Sequence, residues 1–177
     1  MEEAADIHRV FLSTLDTTQH SFNNRNIAKG AKWMSECKTK SILVAMPEHR
    51  NIHGKLFGGH IMRKAFELAY SNMRLAFGAN CIAVAIDDIH FRAPVNIGCI
   101  YMMNSQVAYT FENFSVVRIY AQVVNPATSV YQTTNTFYFV YKTKDGTFFP
   151  EVKPKTYGEA ILWTDAKRRF HYIQNKI

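Results

Sequence analysis

Asn51-Ile52-His53-Gly54-Lys55-Leu56-Phe57-Gly58-Gly59-His60-Ile61-Met62-Arg63-Lys64 is the stretch around which the chain is organised. Just upstream, Ile42, Leu43 and Val44 lie in a strand-like segment, residues 40–46, that Pro47 stops. Downstream, from 59 to 77, Ile61, Ala65, Leu68, Ala69, Leu75 and Ala76 recur at helical spacing, and Gly78 is placed to cap the end. Met62, Phe66, Tyr70 and Met73 add a second apolar flank. A helix apolar over so much of its surface is wrapped by other structure. The paired glycines therefore stand where a buried helix begins. They let a ligand approach the backbone, and they leave N–H groups at the positive end of the helix dipole. Such an end suits a phosphate or a developing oxyanion. Taken alone, Gly-Gly before a helix is equally a tight turn.

Four strand-like segments follow the helix, at residues 82–91, 99–110, 115–124 and 130–143. In the third, Val117, Ile119, Ala121 and Val123 alternate with Arg118, Tyr120 and Gln122, so one face is buried. Short connections favour antiparallel pairing, and one helix cannot cover both sides of a parallel sheet. The expected architecture is α+β: a five-stranded antiparallel sheet curled round one long central helix. Thr156 and Glu159 have capping-box spacing and open a C-terminal helix carrying Ala160, Trp163, Ala166 and Phe170. At the other end, Ile7, Val10, Phe11 and Leu15 suit a short amphipathic helix, and residues 23–26 read as loop. Residues 1–38 are thus expected to be a linker or helical extension, arriving from something upstream, and 39–177 the main domain.

Composition narrows the function classes. No apolar run approaches the ~20 residues that span a bilayer. The acidic start, Met1-Glu2-Glu3-Ala4-Ala5-Asp6, is neither a signal nor a transit peptide. Cys37, Cys81 and Cys99 have no metal or disulfide spacing and fit a reducing compartment; Cys81 and Cys99 read as core. The formal net charge of +7 suits a polyanionic partner. Its cations are scattered, though, and no nucleic-acid module is visible. His49, His53 and His60 invite a metal reading, but no Cys or carboxylate cluster joins them, so no metal site is expected. A Gly-x-Ser-x-Gly elbow, a P-loop and a dinucleotide fingerprint are absent.

Asn51-x-x-Gly54-x-x-Phe57-Gly58-Gly59-x-Ile61-Met62, in its strand-loop-helix setting, is similar to the motif of the hot-dog-fold acyl-coenzyme A thioesterases. Phe91-x-x-Pro94-Val95-x-x-Gly98 resembles that family's second signature. Residues 62–69, 84–89 and 154–159 look specifically like the C-terminal hot dog of the mitochondrial acyl-CoA thioesterase 9 type. The resemblance implies hydrolysis of fatty acyl-CoA to free acid and coenzyme A. It implies no cofactor beyond the coenzyme A of the substrate, and a site formed across two hot dogs. The second hot dog is supplied by a homodimer, a partner chain or an upstream domain. It implies a mitochondrial location, a cytoplasmic one being the reading otherwise, with no nucleic acid and no membrane span.

Carried over residue by residue, Asn51 matches the loop asparagine that positions or polarises the reacting groups. Gly59 and His60 match the helix start that would polarise the thioester carbonyl. Gly58, Arg92 and Arg118 are the candidates for holding coenzyme A, with Lys142 and Lys144 further cations in reach of its phosphates. Asn135, Asp87 and Asp88 are further polar positions on the strands. The helical carboxylate is where this sequence departs: seven residues after the second glycine stands Phe66. Glu67, one place on, is turned by about 100°. Glu67 is read either as the catalytic acid or as a surface partner of Arg63 at i−4. Hence an alternative: a non-catalytic acyl-CoA-binding or assembly subunit that needs a partner domain for the acid.

Overall fold

The computed structural model describes residues 2–14, 25–126, 128 and 130–174. In chain order these form α1 (Glu2–Leu12), β1 (Lys32–Trp33), β2 (Lys38–Val44), α2 (Gly58–Phe77), β3 (Cys81–Phe91), β4 (Ile100–Phe111), β5 (Phe114–Asn125), β6 (Val130–Thr143), β7 (Val152–Lys153) and α3 (Tyr157–Gln174). Leu15, Asn23 and Asn24, and the side chains of Asp88 and His90, lie outside the described set.

The main sheet has five antiparallel strands in the order β2-β4-β5-β6-β3. It wraps α2, giving the expected α+β hot dog. The buried residues of α2 are Ile61, Ala65, Leu68, Ala69, Asn72, Met73 and Ala76, a single stripe at i, i+4, i+7 spacing. They meet the inward positions of the strands, including Met103, Val107, Val117, Ile119, Phe137 and Phe139. A polar knot sits inside this contact. Buried Asn72 accepts from the Thr39 hydroxyl at 3.0 Å and donates to the Ser105 hydroxyl at 2.9 Å and the Cys37 carbonyl at 3.2 Å. Every polar atom of that amide group is engaged, so its burial is tolerated. Gly78, with φ 64°, ends α2 in the left-handed conformation.

The sequence did not reveal that the outer face of the sheet is also covered. Helix α3 lies across it: Trp163 packs edge-on to Tyr109 at 5.1 Å, and Phe170 rests on Tyr109, Phe111 and Phe114. Arg169 pairs with Asp165 on its own helix and with Asp87 of β3 at 2.6 Å, lying over the Tyr138 ring. Asp87 thus faces outward and fastens α3. The start of α3 forms half of the expected capping box. The Glu159 N–H donates to the Thr156 hydroxyl at 3.2 Å, but the Glu159 carboxylate accepts from the Lys155 N–H and pairs with Lys38. Burial alone would raise the Glu159 pKa; these hydrogen bonds outweigh it and hold it below the ordinary carboxylate range. Near the amino end, β1 pairs in parallel with β7, and Phe11 of α1 meets Tyr157 of α3. Among the described residues no helix is long and apolar enough to cross a membrane.

Candidate active site

The loop between β2 and α2 is tied down at each step. Arg50 bridges to Leu56, the Asn51 N–H donates to the Lys55 carbonyl at 2.6 Å, and the Gly54 N–H donates to the Asn51 carbonyl at 3.0 Å. This tight turn needs φ 70° at Gly54, a conformation that side-chain-bearing residues rarely adopt. The loop is also stitched to the second signature. The Leu56 N–H donates to the Val95 carbonyl at 2.8 Å, and Lys55 reaches the Asn96 carboxamide oxygen at 2.5 Å. The two motifs, about forty residues apart, therefore build one structure.

Inside it, the Asn51 Oδ1 accepts the N–H groups of His53 at 2.9 Å and Lys55 at 3.0 Å. With the oxygen engaged, the Nδ2 group is left as the donor. The carboxamide is locked in one orientation before any ligand arrives, which is what electrostatic preorganisation requires. Asn51 lines an open groove of about 350 Å³ together with Gly58, Arg92, Phe91 and Pro94. Helix α2 starts at this groove. The His60 N–H already donates to the Phe57 carbonyl at 3.0 Å. The N–H groups of Gly58 and Gly59 have no acceptor one turn earlier in the helix and stand at its positive end. A Cβ on Gly58 would lie 3.2 Å from the Phe91 ring, and one on Gly59 would lie 2.5 Å from the Phe57 ring. A side chain at Gly58 would thus crowd the groove, and one at Gly59 would displace Phe57.

The other candidates are placed elsewhere. His60 stacks on His49 with ring centroids 3.7 Å apart and planes 21° apart. Its pKa is lowered, first by burial and then by His49, Lys64 and Arg63. Near-parallel rings do not converge on a common ion, and among the described residues no group of three or more His, Cys, Asp or Glu is arranged to hold a metal. Glu67 pairs with Arg63 at 2.9 Å and Lys64 at 2.8 Å on a side chain 42% exposed. Hydrogen bonds from Lys64 and Arg63 lower its pKa, which makes it a weaker base. Phe66 turns to β6, its ring 6.0 Å from Phe139 and 6.3 Å from Tyr141. Arg118 lies in a different groove, on the outer face of the sheet. Asn135 is fully buried and accepts from the Tyr101 hydroxyl at 3.1 Å; burial pushes that hydroxyl up to about 12. Lys142 lies over the Phe114 ring, away from the Asn51 groove. Lys55 at the groove rim escaped the sequence reading; its place between Asn51 and Gly58 was the available signal.

The fold defines a class: a hot-dog domain, with a groove at the start of its central helix. Acyl-CoA hydrolase from Bacillus cereus has the same fold, with TM-score 0.76 and 20% identity over 82% of this chain and 93% of that one. So has acyl-CoA hydrolase from Staphylococcus aureus in complex with butyryl coenzyme A and coenzyme A, with TM-score 0.72 and 21% identity over 82% of this chain and 94% of that one. In sequence the chain is homologous to a segment of mitochondrial acyl-coenzyme A thioesterase 9: the Homo sapiens protein is 40% identical over 170 residues, 96% of this chain and 38% of the relative. The chain spans about two-fifths of the length of the curated relatives it matches. No family model matches it.

Proposed function

We propose that this chain is an acyl-CoA thioester hydrolase domain whose groove at the start of α2 binds and polarises the thioester, while the catalytic acid comes from a second hot dog. The observation that carries the reading is the locked Asn51 carboxamide beside the N–H groups of Gly58 and Gly59; its Nδ2 and those N–H groups make no hydrogen bond among the described residues. In this scheme the thioester carbonyl oxygen lies at the helix start, where charge developing on it is stabilised. Asn51 donates to that oxygen or to the attacking water. Water adds to the carbonyl carbon with loss of a proton to the partner's carboxylate. The tetrahedral intermediate then collapses, the C–S bond breaks, and the thiolate takes up a proton to leave as coenzyme A, with the fatty acid as the other product. Arg92 and Lys55 at the groove rim serve the phosphates of coenzyme A.

Pairing is supported by the edge of the sheet. Strand β3 ends the sheet, its outer edge has no strand partner among the described residues, and Ile82 and Ile86 on it are roughly half exposed. Phe66 and Tyr70 on α2 are partly exposed too. An open, apolar edge calls for a partner. The packing of Phe66 on Phe139 and Tyr141 favours an acid from outside the chain over one on this helix. Residues 1–38 are read as an extension clamped to the domain of 39–177, and the location as mitochondrial, like the relative's. The test is thiol release from acyl-CoAs by the chain paired with an acid-bearing hot dog. Asn51→Asp keeps the oxygen that holds the turn but removes the donor. The reading expects turnover to collapse in that variant, and full turnover would remove Asn51 from the site.

A further inference from the structure

The outer face of the sheet carries a second groove of about 580 Å³, on the side opposite α2. Its floor follows from strand register. Lys38 pairs with Gln106, which pairs with Arg118; one row along, Lys40 pairs with Asn104, which pairs with Tyr120. Alternation puts all six on one face. Helix α3 begins beside this floor, where Glu159 pairs with Lys38 at 2.8 Å and accepts from Gln106 at 3.3 Å. Lys38 is thereby neutralised. Lys40 and Arg118 make no ion pair among the described residues, and no carboxylate lines the groove.

Polar outward residues on an antiparallel sheet are ordinarily a solvated surface. Arg118 departs from that pattern. Its Nε is buried and has no hydrogen-bond partner. Its guanidinium lies 5.0 Å from the centre of the Tyr120 ring, and the Tyr120 hydroxyl is itself bonded to the Thr133 hydroxyl. The guanidinium is thus seated over the floor with a donor unused. That Nε is covered, and the nitrogens a ligand would meet are the terminal ones of the guanidinium, which make no hydrogen bond among the described residues. Neighbouring strands are about 4.8 Å apart, so β2 and β5 are separated by about 10 Å. Lys40 and Arg118 stand diagonally across the Asn104 and Gln106 amides, one row apart along the strands, so about 12 Å separates them at the backbone. Two cations with amide donors between them match two linked phosphoryl groups better than a single carboxylate, and the guanidinium fork suits phosphate oxygens.

We infer that this groove binds the pyrophosphate group of a small organic phosphate between Arg118 and Lys40, at a site separate from the groove at the start of α2. The test is titration of the isotopically labelled chain with inorganic pyrophosphate, followed by backbone amide NMR. The expected result is saturable shifts at Asn104, Gln106, Arg118 and Tyr120. Affinity should fall by about tenfold or more in Arg118→Gln and several-fold in Lys40→Gln, and should be unchanged in Asn51→Ala. Lys40 is exposed, so Lys40→Gln decides the matter should Arg118→Gln fail to fold. Unchanged affinity in the Lys40 or Arg118 variant overturns the inference. So do shifts confined to residues 51–59 and 91–96, or no saturable shift at millimolar pyrophosphate.

Discussion

The first turn of α2 and its middle differ sharply in what they are built for. At the first turn, loop, second signature and helix start converge on one groove, and the polar atoms there are either locked or left as donors. Two turns later, where the resemblance calls for a carboxylate, Phe66 packs on Phe139 and Tyr141, and the neighbouring acid is paired with Arg63 and Lys64. One end of the helix opens on a groove with donors beside it; the middle packs and pairs. Under the proposed function, the difference means that this hot dog holds half of a reaction and catalysis is a property of the pair.

The comparison is broken most severely at Asn51. With an acid-bearing partner present, Asn51→Ala is expected to lower turnover by about 10²–10³, the usual loss for a preorganised donor. Steady-state thiol release measures it, and a change of twofold or less would move the polarising role elsewhere. Gly59→Ala comes next. Its Cβ must displace the Phe57 ring, 2.5 Å away, and a misplacement of that order costs up to about 10²-fold. The loss should appear in kcat more than in binding, and equal effects on both would contradict the assignment.

A smaller effect separates the two regions by pH. His60 has a depressed pKa in the fold, so the unfolded state binds the proton more readily. The contribution of the His49–His60 stack is therefore present above the ordinary imidazole value of about 6.5 and is lost as pH falls below it. Glu67 offsets part of this, while His49, Lys64 and Arg63 add to it. Amide protection factors in residues 47–57 should fall on acidification while those in the middle of α2 hold; a uniform fall would contradict a local lock. The smallest effect belongs to Glu67→Ala. A surface ion pair is worth a few tenths of a kcal/mol, so turnover of the paired enzyme should stay within about twofold. A large loss there would restore Glu67 as the acid.

Much of this architecture was legible in the sequence because periodicity reports burial directly. Val117, Ile119 and Ala121 face α2 as their alternation implied, and β6 and the end of α2 fall where expected. Strands β3 and β5 run one residue past the expected segments, β4 is shifted by one residue and β2 by two, since the ladder bonds rather than the apolar runs set the ends. Two-residue β1 and β7 carry no periodic signal at all. The docking of α3 was hidden because β4 and β5 bury both faces at one end, which reads as a continuous apolar run. The groove residues were readable only where a motif held them together, as with Asn51 and Gly58. The outer cluster of Lys40 and Arg118 depends on cross-strand register, which local patterns do not fix.

The central claim is that this chain supplies the polarising half of the site and lacks the acid. Thiol release by the purified chain alone, compared with its Phe66→Asp variant, tests it most directly. The account predicts a silent wild type that folds and binds coenzyme A, and hydrolysis gained in Phe66→Asp as two copies pair. Full hydrolysis by the unmodified chain, abolished in Glu67→Ala, would contradict it.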